Sequence, residues 1–214
     1  HFESPPEQWT HRVPKQYRDR APRRIKLANR HDGLLLEGSR LIYGGTSLYG
    51  GRSPETFDPT VMDFAETPGC GSAEQRLREQ DEDGIDAEVL FALDVRNAAI
   101  RDKSALLAIV HGFNEYMAEE YCAVDRDRLI GAAVLPNVGA EQDIAEIESC
   151  KRLGFKCAWL RTHPSGKSYP TPEDDRFWAA ALDLDMPLVV HTSFPARVGS
   201  RETPLFKYPR EPEG

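Results

Sequence analysis

Residues 128–161 read RLIGAAVLPNVGAEQDIAEIESCKRLGFKCAWLR, and this stretch decides the fold. Two apolar runs, 129–135 and 155–160, have the length and the near-continuous hydrophobicity of buried strands. Between them, residues 140–153 read as a helix that Gly154 ends. The stretch therefore predicts a strand, a helix and a second strand parallel to the first.

The same alternation continues on both sides. Towards the N-terminus we predict a charged helix at 73–83, a strand at 87–92 and a long helix at 103–124. Towards the C-terminus we predict a helix at 172–185, capped by Thr171 and Asp174, and a strand at 186–191.

Near-continuously apolar strands in this order indicate a parallel sheet with helices outside it. An open doubly wound sheet and a (β/α)₈ barrel both have that order. None of the strand-to-helix turns has the glycine-rich sequence of a dinucleotide fold. The prediction is therefore an α/β protein with a (β/α)₈, TIM-like barrel.

The N-terminal third is less regular. Residues 1–22 are rich in proline, arginine and glutamate and predict an ordered segment without periodicity. Residues 23–43 predict a hairpin insertion with arms at 23–27 and 33–38. Residues 44–72 are rich in Gly, Pro and Thr and predict a long loop. We interpret residues 1–214 as a single domain.

Composition excludes several classes of partner. The 214 residues are 40% apolar and 29% charged, as in ordinary globular proteins, and carry a net charge of −8. An acidic surface repels nucleic-acid phosphates and anionic lipids, so we expect neither as a partner. The first residues lack the features of a signal peptide, and four cysteines without a C-x-x-C pair predict buried free thiols, so we expect a cytoplasmic protein.

Functional side chains of a barrel lie at the carboxyl ends of its strands. Here those ends offer Phe91, Arg161, His163 and His191. His191 closes an apolar strand; it is either a metal ligand or a core histidine bonded to a backbone carbonyl. Arg161 either clamps a substrate carboxylate or pairs with an acidic loop. His163 either contacts substrate or decorates a turn.

Several stretches carry a family resemblance. They are HFESPPEQW at 1–9, RL at 76–77, DGIDAEVLF at 83–91, FN at 113–114, DRDRLIG at 125–131, LP at 135–136, FWAAA at 177–181 and MPLVVHT at 186–192. With them the chain resembles the amidohydrolase-related family of the amidohydrolase superfamily, which includes aminocarboxymuconate-semialdehyde, resorcylate and carboxyvanillate decarboxylases. The resemblance covers nearly the whole chain outside 44–72.

The resemblance implies a site as well as a fold. His1 corresponds to the histidine of the first-strand metal motif and His191 to the fifth-strand ligand, for Zn²⁺ or alternatively Mn²⁺. The family's other site residues have no counterpart: the acidic or His residue before His1, the sixth-strand histidine and a late aspartate. The resemblance therefore implies a partial barrel of about the first five strands, whose catalytic residues stay unknown. It also implies a homodimer.

Three functions stay open at this point. The first is metal-dependent, non-oxidative decarboxylation of an aromatic or unsaturated carboxylic acid, with Phe91, Arg161 and His163 as substrate-binding candidates. The second is metal-dependent hydrolysis of a lactone or amide by a metal-bound water. The third is a non-catalytic fragment that packs against another chain.

Overall fold

The structure is a computed structural model, and it describes residues 4–26, 32–37, 40–42, 70–92, 100–167 and 169–190. Most of the predicted loop at 44–72 and both proposed metal ligands, His1 and His191, lie outside the described residues. Within the described part of the chain, no helix is long and apolar enough to cross a membrane.

The N-terminal part combines short helices with a small antiparallel sheet. Three 3₁₀ helices, at Pro6–Gln8, Thr10–Arg12 and Lys15–Arg20, precede the strands β1 (Arg23–Lys26), β2 (Asp32–Leu36) and β3 (Arg40–Ile42). The two predicted hairpin arms pair as β1 and β2, and β3 adds a third strand that the prediction missed. Residues 40–42 lie inside the predicted hairpin region 23–43 but in neither of its arms, because three residues are a weak sequence signal for a strand.

The second sheet is parallel and has the strand order β4-β5-β6-β7. Its elements, with the helices that connect them, are α1 (Ala73–Asp83), β4 (Glu88–Leu90), α2 (Lys103–Tyr116), β5 (Leu129–Val134), α3 (Ala140–Leu153), β6 (Cys157–Leu160), α4 (Asp175–Asp183) and β7 (Leu188–Val190). Each strand lies beside the next strand in sequence, as in a barrel wall, whereas a doubly wound sheet reverses direction at a switch point.

Local signals explain the helix ends. The Ser72 side chain accepts a hydrogen bond from the backbone of Gln75 at the start of α1, and Asp102 does the same for Ala105 at the start of α2. Gly84 and Gly154 end α1 and α3 in the left-handed conformation, which glycine adopts without steric cost.

One predicted helix is helical to its predicted end but changes type along its length, and the predicted end of another is wrong. The helix predicted over 103–124 is α-helical only to residue 116; a π turn at Met117–Tyr121 and a 3₁₀ turn at Cys122–Val124 follow. The wider turn brings the side chains of Met117 and Cys122 against Gly131 of β5. The helix predicted to reach residue 185 ends at 183, because Asp185 turns left-handed (φ 45°) and the next amide bonds back into the last turn.

The parallel sheet has two faces with different partners. One face packs against the helices through a large core that includes Leu90, Phe113, Ala158 and Phe177. The other face, here called the inner face, carries the side chains of Ala132, Cys157 and Trp159, with Phe91 and Val189 packed against them. All four cysteines are buried free thiols, which confirms that prediction.

Candidate active-site edge of the parallel sheet

Three of the predicted strand-end side chains can be traced. Phe91 follows β4 directly, and its ring meets that of Trp159 edge to face with centroids 5.6 Å apart. Arg161 follows β6 directly, and its guanidinium carbon lies 4.9 Å from the centroid of the same Trp159 ring. The carboxyl ends of β4 and β6, the two strands on either side of β5, thus bring an aromatic pair and a cation together on the inner face.

This cluster of Phe91, Trp159 and Arg161 has a defined chemical character. An aromatic face attracts the planar guanidinium, and a guanidinium carries a fork of N–H donors whose geometry matches a carboxylate. Trp159 is buried, whereas Phe91 and Arg161 are half-buried. The cluster therefore suits a planar, anionic ligand. Sequence reasoning identified Phe91 and Arg161 but missed Trp159, which lay inside an apolar strand and read as core.

His163 lies in a different environment. Its ring is perpendicular to the indole of Trp178, with centroids 6.3 Å apart, and Trp178 packs on the helix-side core. The structure therefore places His163 against α4, while Arg161 lies over Trp159. That His163 contacts the substrate remains a prediction.

Asp174 holds the backbone just after Arg161 and His163 in place. One carboxylate oxygen accepts the backbone N–H of Ser165 at 2.6 Å; the other accepts the backbone N–H of Thr171 at 2.8 Å. The hydroxyls of Ser165 and Thr171 lie 3.1 and 3.3 Å from that second oxygen. Burial raises the pKa of Asp174, but these hydrogen bonds outweigh it and hold the pKa below its ordinary value. The sequence showed the helix cap at Thr171 but not the bond to Ser165.

The end of β5 is held by side-chain contacts that the sequence did not predict. The N–H of Asn137, which has a positive φ of 56°, donates to the buried carboxylate of Asp143 at 2.8 Å. The buried side chain of Asn114 makes hydrogen bonds with both backbone groups of Val134, the last residue of β5. The available signal was polar residues on buried helix faces: Asn114 beside Phe113, and Asp143 one turn before Glu146 and Ile147.

The metal site is not tested by these contacts. Among the described residues, no group of three or more His, Cys, Asp or Glu side chains is placed to hold a metal ion. His191 follows β7 in sequence and is two residues after Val189, an inner-face residue, which is the period of side-chain alternation in a strand.

Comparison with known proteins decides the family. The sequence model of the amidohydrolase family matches residues 9–208, nearly the whole chain. The chain belongs to the amidohydrolase family.

Curated relatives of this amidohydrolase chain are decarboxylases. The gamma-resorcylate decarboxylase of Rhizobium radiobacter is 29% identical over 133 residues, which is 59% of this chain and 40% of that protein. The decarboxylase orsB of Emericella nidulans is 33% identical over 85 residues, 39% of this chain and 26% of that protein. The chain therefore spans well under half the length of these relatives.

Solved structures confirm the fold. The amidohydrolase map2389c from Mycobacterium avium subsp. paratuberculosis superposes with a TM-score of 0.66 over 89% of this chain and 56% of that chain, at 17% identity. The 2,6-dihydroxybenzoate decarboxylase from Rhizobium gives 0.52 over 63% and 43%, at 26% identity. The 5-carboxyvanillate decarboxylase of Novosphingobium aromaticivorans, solved with bound manganese, gives 0.53 over 60% and 37%, at 24% identity. The parallel sheet of this amidohydrolase is thus part of a TIM-like barrel, as predicted.

Proposed function

We propose that this amidohydrolase is a metal-dependent, non-oxidative decarboxylase of an aromatic or unsaturated carboxylic acid. The observation that carries the proposal is the cluster of Phe91, Trp159 and Arg161 at the carboxyl edge of the parallel sheet. Both curated relatives described above are decarboxylases, which favours this reaction over hydrolysis of a lactone or amide.

The cluster suits such a substrate for two reasons. The half-buried ring of Phe91 offers apolar surface to a planar, unsaturated acid, and the buried ring of Trp159 supports it from behind. The guanidinium of Arg161 carries a fixed positive charge whose paired N–H groups match a carboxylate. We propose that Arg161 holds an anionic group of the substrate and that His163 contributes a weaker contact at the rim.

We propose His1 and His191 as ligands of a divalent metal. The support is the family resemblance and, for His191, its place in the sequence two residues after Val189, an inner-face residue of β7. Zn²⁺ is the first candidate and Mn²⁺ the alternative, since a solved protein with this fold was crystallised with manganese. When bound, such a metal acts as a Lewis acid towards the substrate's oxygen atoms.

The reaction places simple demands on the protein. The bond between the carboxylate and the neighbouring carbon breaks, CO₂ leaves, and a proton takes its place on that carbon. We propose that Arg161 and the ring of Phe91, supported by the buried Trp159, fix the plane of the substrate and exclude water from one side. We propose that an acidic side chain handles this proton, since the family resemblance implies a late aspartate in that role.

Two further properties are proposed on weaker grounds. The four buried free thiols support a reducing compartment, so we propose a cytoplasmic protein. The family resemblance supports a homodimer.

The test is a substrate panel on the metal-loaded protein. Hydroxylated benzoates are scored for CO₂ release, and lactones and amides for ring opening or amine release. We expect CO₂ release that His191→Ala abolishes and that Arg161→Ala weakens, mainly through KM. His11→Ala is the matched control, because His11 is an exposed histidine paired with Glu120 on the outer side. Hydrolysis without CO₂ release would replace the proposal with the hydrolase.

A further inference from the structure

A buried polar cluster lies between α2, α3 and the end of β5. Asn114 of α2 is completely buried on an otherwise apolar helix face. Its amide nitrogen donates to the carbonyl of Val134 at 2.8 Å, and its amide oxygen accepts the N–H of Val134 at 2.9 Å. One side chain thus satisfies both backbone groups of the last residue of β5, as a neighbouring strand would.

Glu146 of α3 completes the cluster. One of its carboxylate oxygens accepts a second hydrogen bond from the amide nitrogen of Asn114 at 2.7 Å, and the thiol of Cys150 lies 3.6 Å from the same oxygen. The other oxygen lies 3.3 Å from Nδ1 of His111. A buried carboxylate is costly unless it is bonded in this way. His111 is half-buried and connects the cluster to solvent.

The cluster holds a strand end that bears on the candidate site. Val134 is the register partner of Trp159 on β6, so the backbone of Val134 lies directly beside the residue that carries that ring. Asn137 lies three residues after Val134, and its N–H donates to the carboxylate of Asp143. Asp143 precedes Glu146 by one turn of α3. Two helices therefore fix the end of β5 from its outer side.

We propose that Asn114 and Glu146 are positioning residues that hold the carboxyl end of β5 and thereby set Trp159, and that His111 makes this hold depend on pH. The relevance of Trp159 to substrate rests on the proposed function. The chain of hydrogen bonds from His111 to the end of β5 is independent of that function.

The charges around His111 give the pH dependence its sign. The hydrogen bond to Glu146 raises the pKa of His111 above its ordinary value of 6.5, burial opposes it, Glu115 on the same helix adds to it, and Arg152 of α3 lowers it. The net pKa of His111 is raised. The contact between protonated His111 and Glu146 therefore stabilises the folded state fully below pH 6.5, and this stabilisation is lost as the pH rises through the pKa of His111 in the folded state.

The first test is hydrogen exchange on the full chain, followed by mass spectrometry and corrected for the intrinsic pH dependence. We compare the wild type with Asn114→Asp, whose ionised carboxylate cannot donate to Val134 or Glu146, at pH values high enough to keep it ionised. We expect exchange in the peptide that spans 132–139 to be at least about tenfold faster, because two buried hydrogen bonds are lost, each contributing severalfold. A peptide from α1 and β4 should change far less. An equal increase in both peptides would mean general destabilisation and would overturn the proposal.

Rescue and titration keep the test independent of whether that variant folds well. The double variant Asn114→Asp/Glu146→Gln restores a donor between the two helices and should recover part of the slow exchange. His111→Gln should remove the pH dependence of exchange in 132–139, while His11→Gln should leave it unchanged. An NMR titration should show that Glu146→Gln lowers the pKa of His111. An unaltered His111 titration, or a pH dependence that survives His111→Gln, would overturn the proposal. None of these measurements uses substrate, so they stand apart from the proposed reaction.

Discussion

Replacing Asp174 should destabilise the segment between β6 and α4 by a predictable amount. Asp174→Ala removes the acceptor for two short backbone N–H bonds, from Ser165 and Thr171, and for two hydroxyls at longer distances. Loss of a helix cap typically costs about 1 kcal/mol, and a hydrogen bond to a charged group contributes about 1.5–3 kcal/mol. Since the loosened turn lets water reach the freed donors, we expect a total loss of about 2–4 kcal/mol.

Urea unfolding followed by circular dichroism measures this loss. The matched control is Asp175→Asn, which removes the same charge one residue further along, from an exposed side chain at the same helix start. Asp174→Asn keeps one carbonyl oxygen and should lose about half as much as Asp174→Ala. A loss for Asp174→Ala within about 0.5 kcal/mol of the control, the usual range for surface changes, would show that Asp174 does not hold this segment.

The stabilisation by the Asp174 carboxylate should be lost at low pH. The pKa of Asp174 is lowered in the folded state, so its contribution is complete above its ordinary value of 3.8 and is lost as the pH falls through the folded-state pKa. The stability difference between wild type and Asp174→Asn should therefore shrink below pH 3.8. A difference that stays constant to pH 2.5 would contradict the assignment.

Three further predictions concern the frame around the site. Gly131→Ala should cost about 1–3 kcal/mol in urea unfolding, because the added Cβ would lie 3.0 Å from the ring of Phe155; an unchanged midpoint would contradict this. Glu88→Ala should cost about 2 kcal/mol, because it leaves the half-buried Arg76 without its bidentate partner, whereas loss of an exposed pair costs less than about 1 kcal/mol. Burial raises the pKa of Cys122 to about 11, so a thiol reagent at pH 8 should label it only after unfolding, and rapid labelling of the native chain would count against its burial.

The sequence was most informative where pattern and packing agree. The helix at Ala140–Leu153 was predicted with its exact bounds, because Gly154 ends it and apolar strands flank it on both sides. The parallel order of β4 to β7 followed from strands that are apolar along their whole length. The π turn at Met117–Tyr121 was missed because it preserves the apolar face of a continuous helix and is decided by packing against β5.

Residues of the site were harder to predict for a physical reason. Phe91 and Arg161 stand at strand ends, where position alone marks them as candidates. Trp159, by contrast, looks like core in an apolar strand, and only the paired contacts with Phe91 and Arg161 reveal its second role. Asn114 was noticed only as part of a family motif, since nothing local shows that its amide bonds the backbone of a strand 20 residues away.

The most direct test of the central claim is CO₂ release by the Zn²⁺- or Mn²⁺-loaded protein from a panel of hydroxylated benzoates, measured beside its metal content. We expect about one metal per chain and CO₂ formed in equal amount with the decarboxylated product. We also expect His191→Ala to lose both metal and activity, while Arg161→Ala keeps the metal but binds substrate more weakly. Full metal loading with no CO₂ release, or activity that survives His191→Ala, would contradict it.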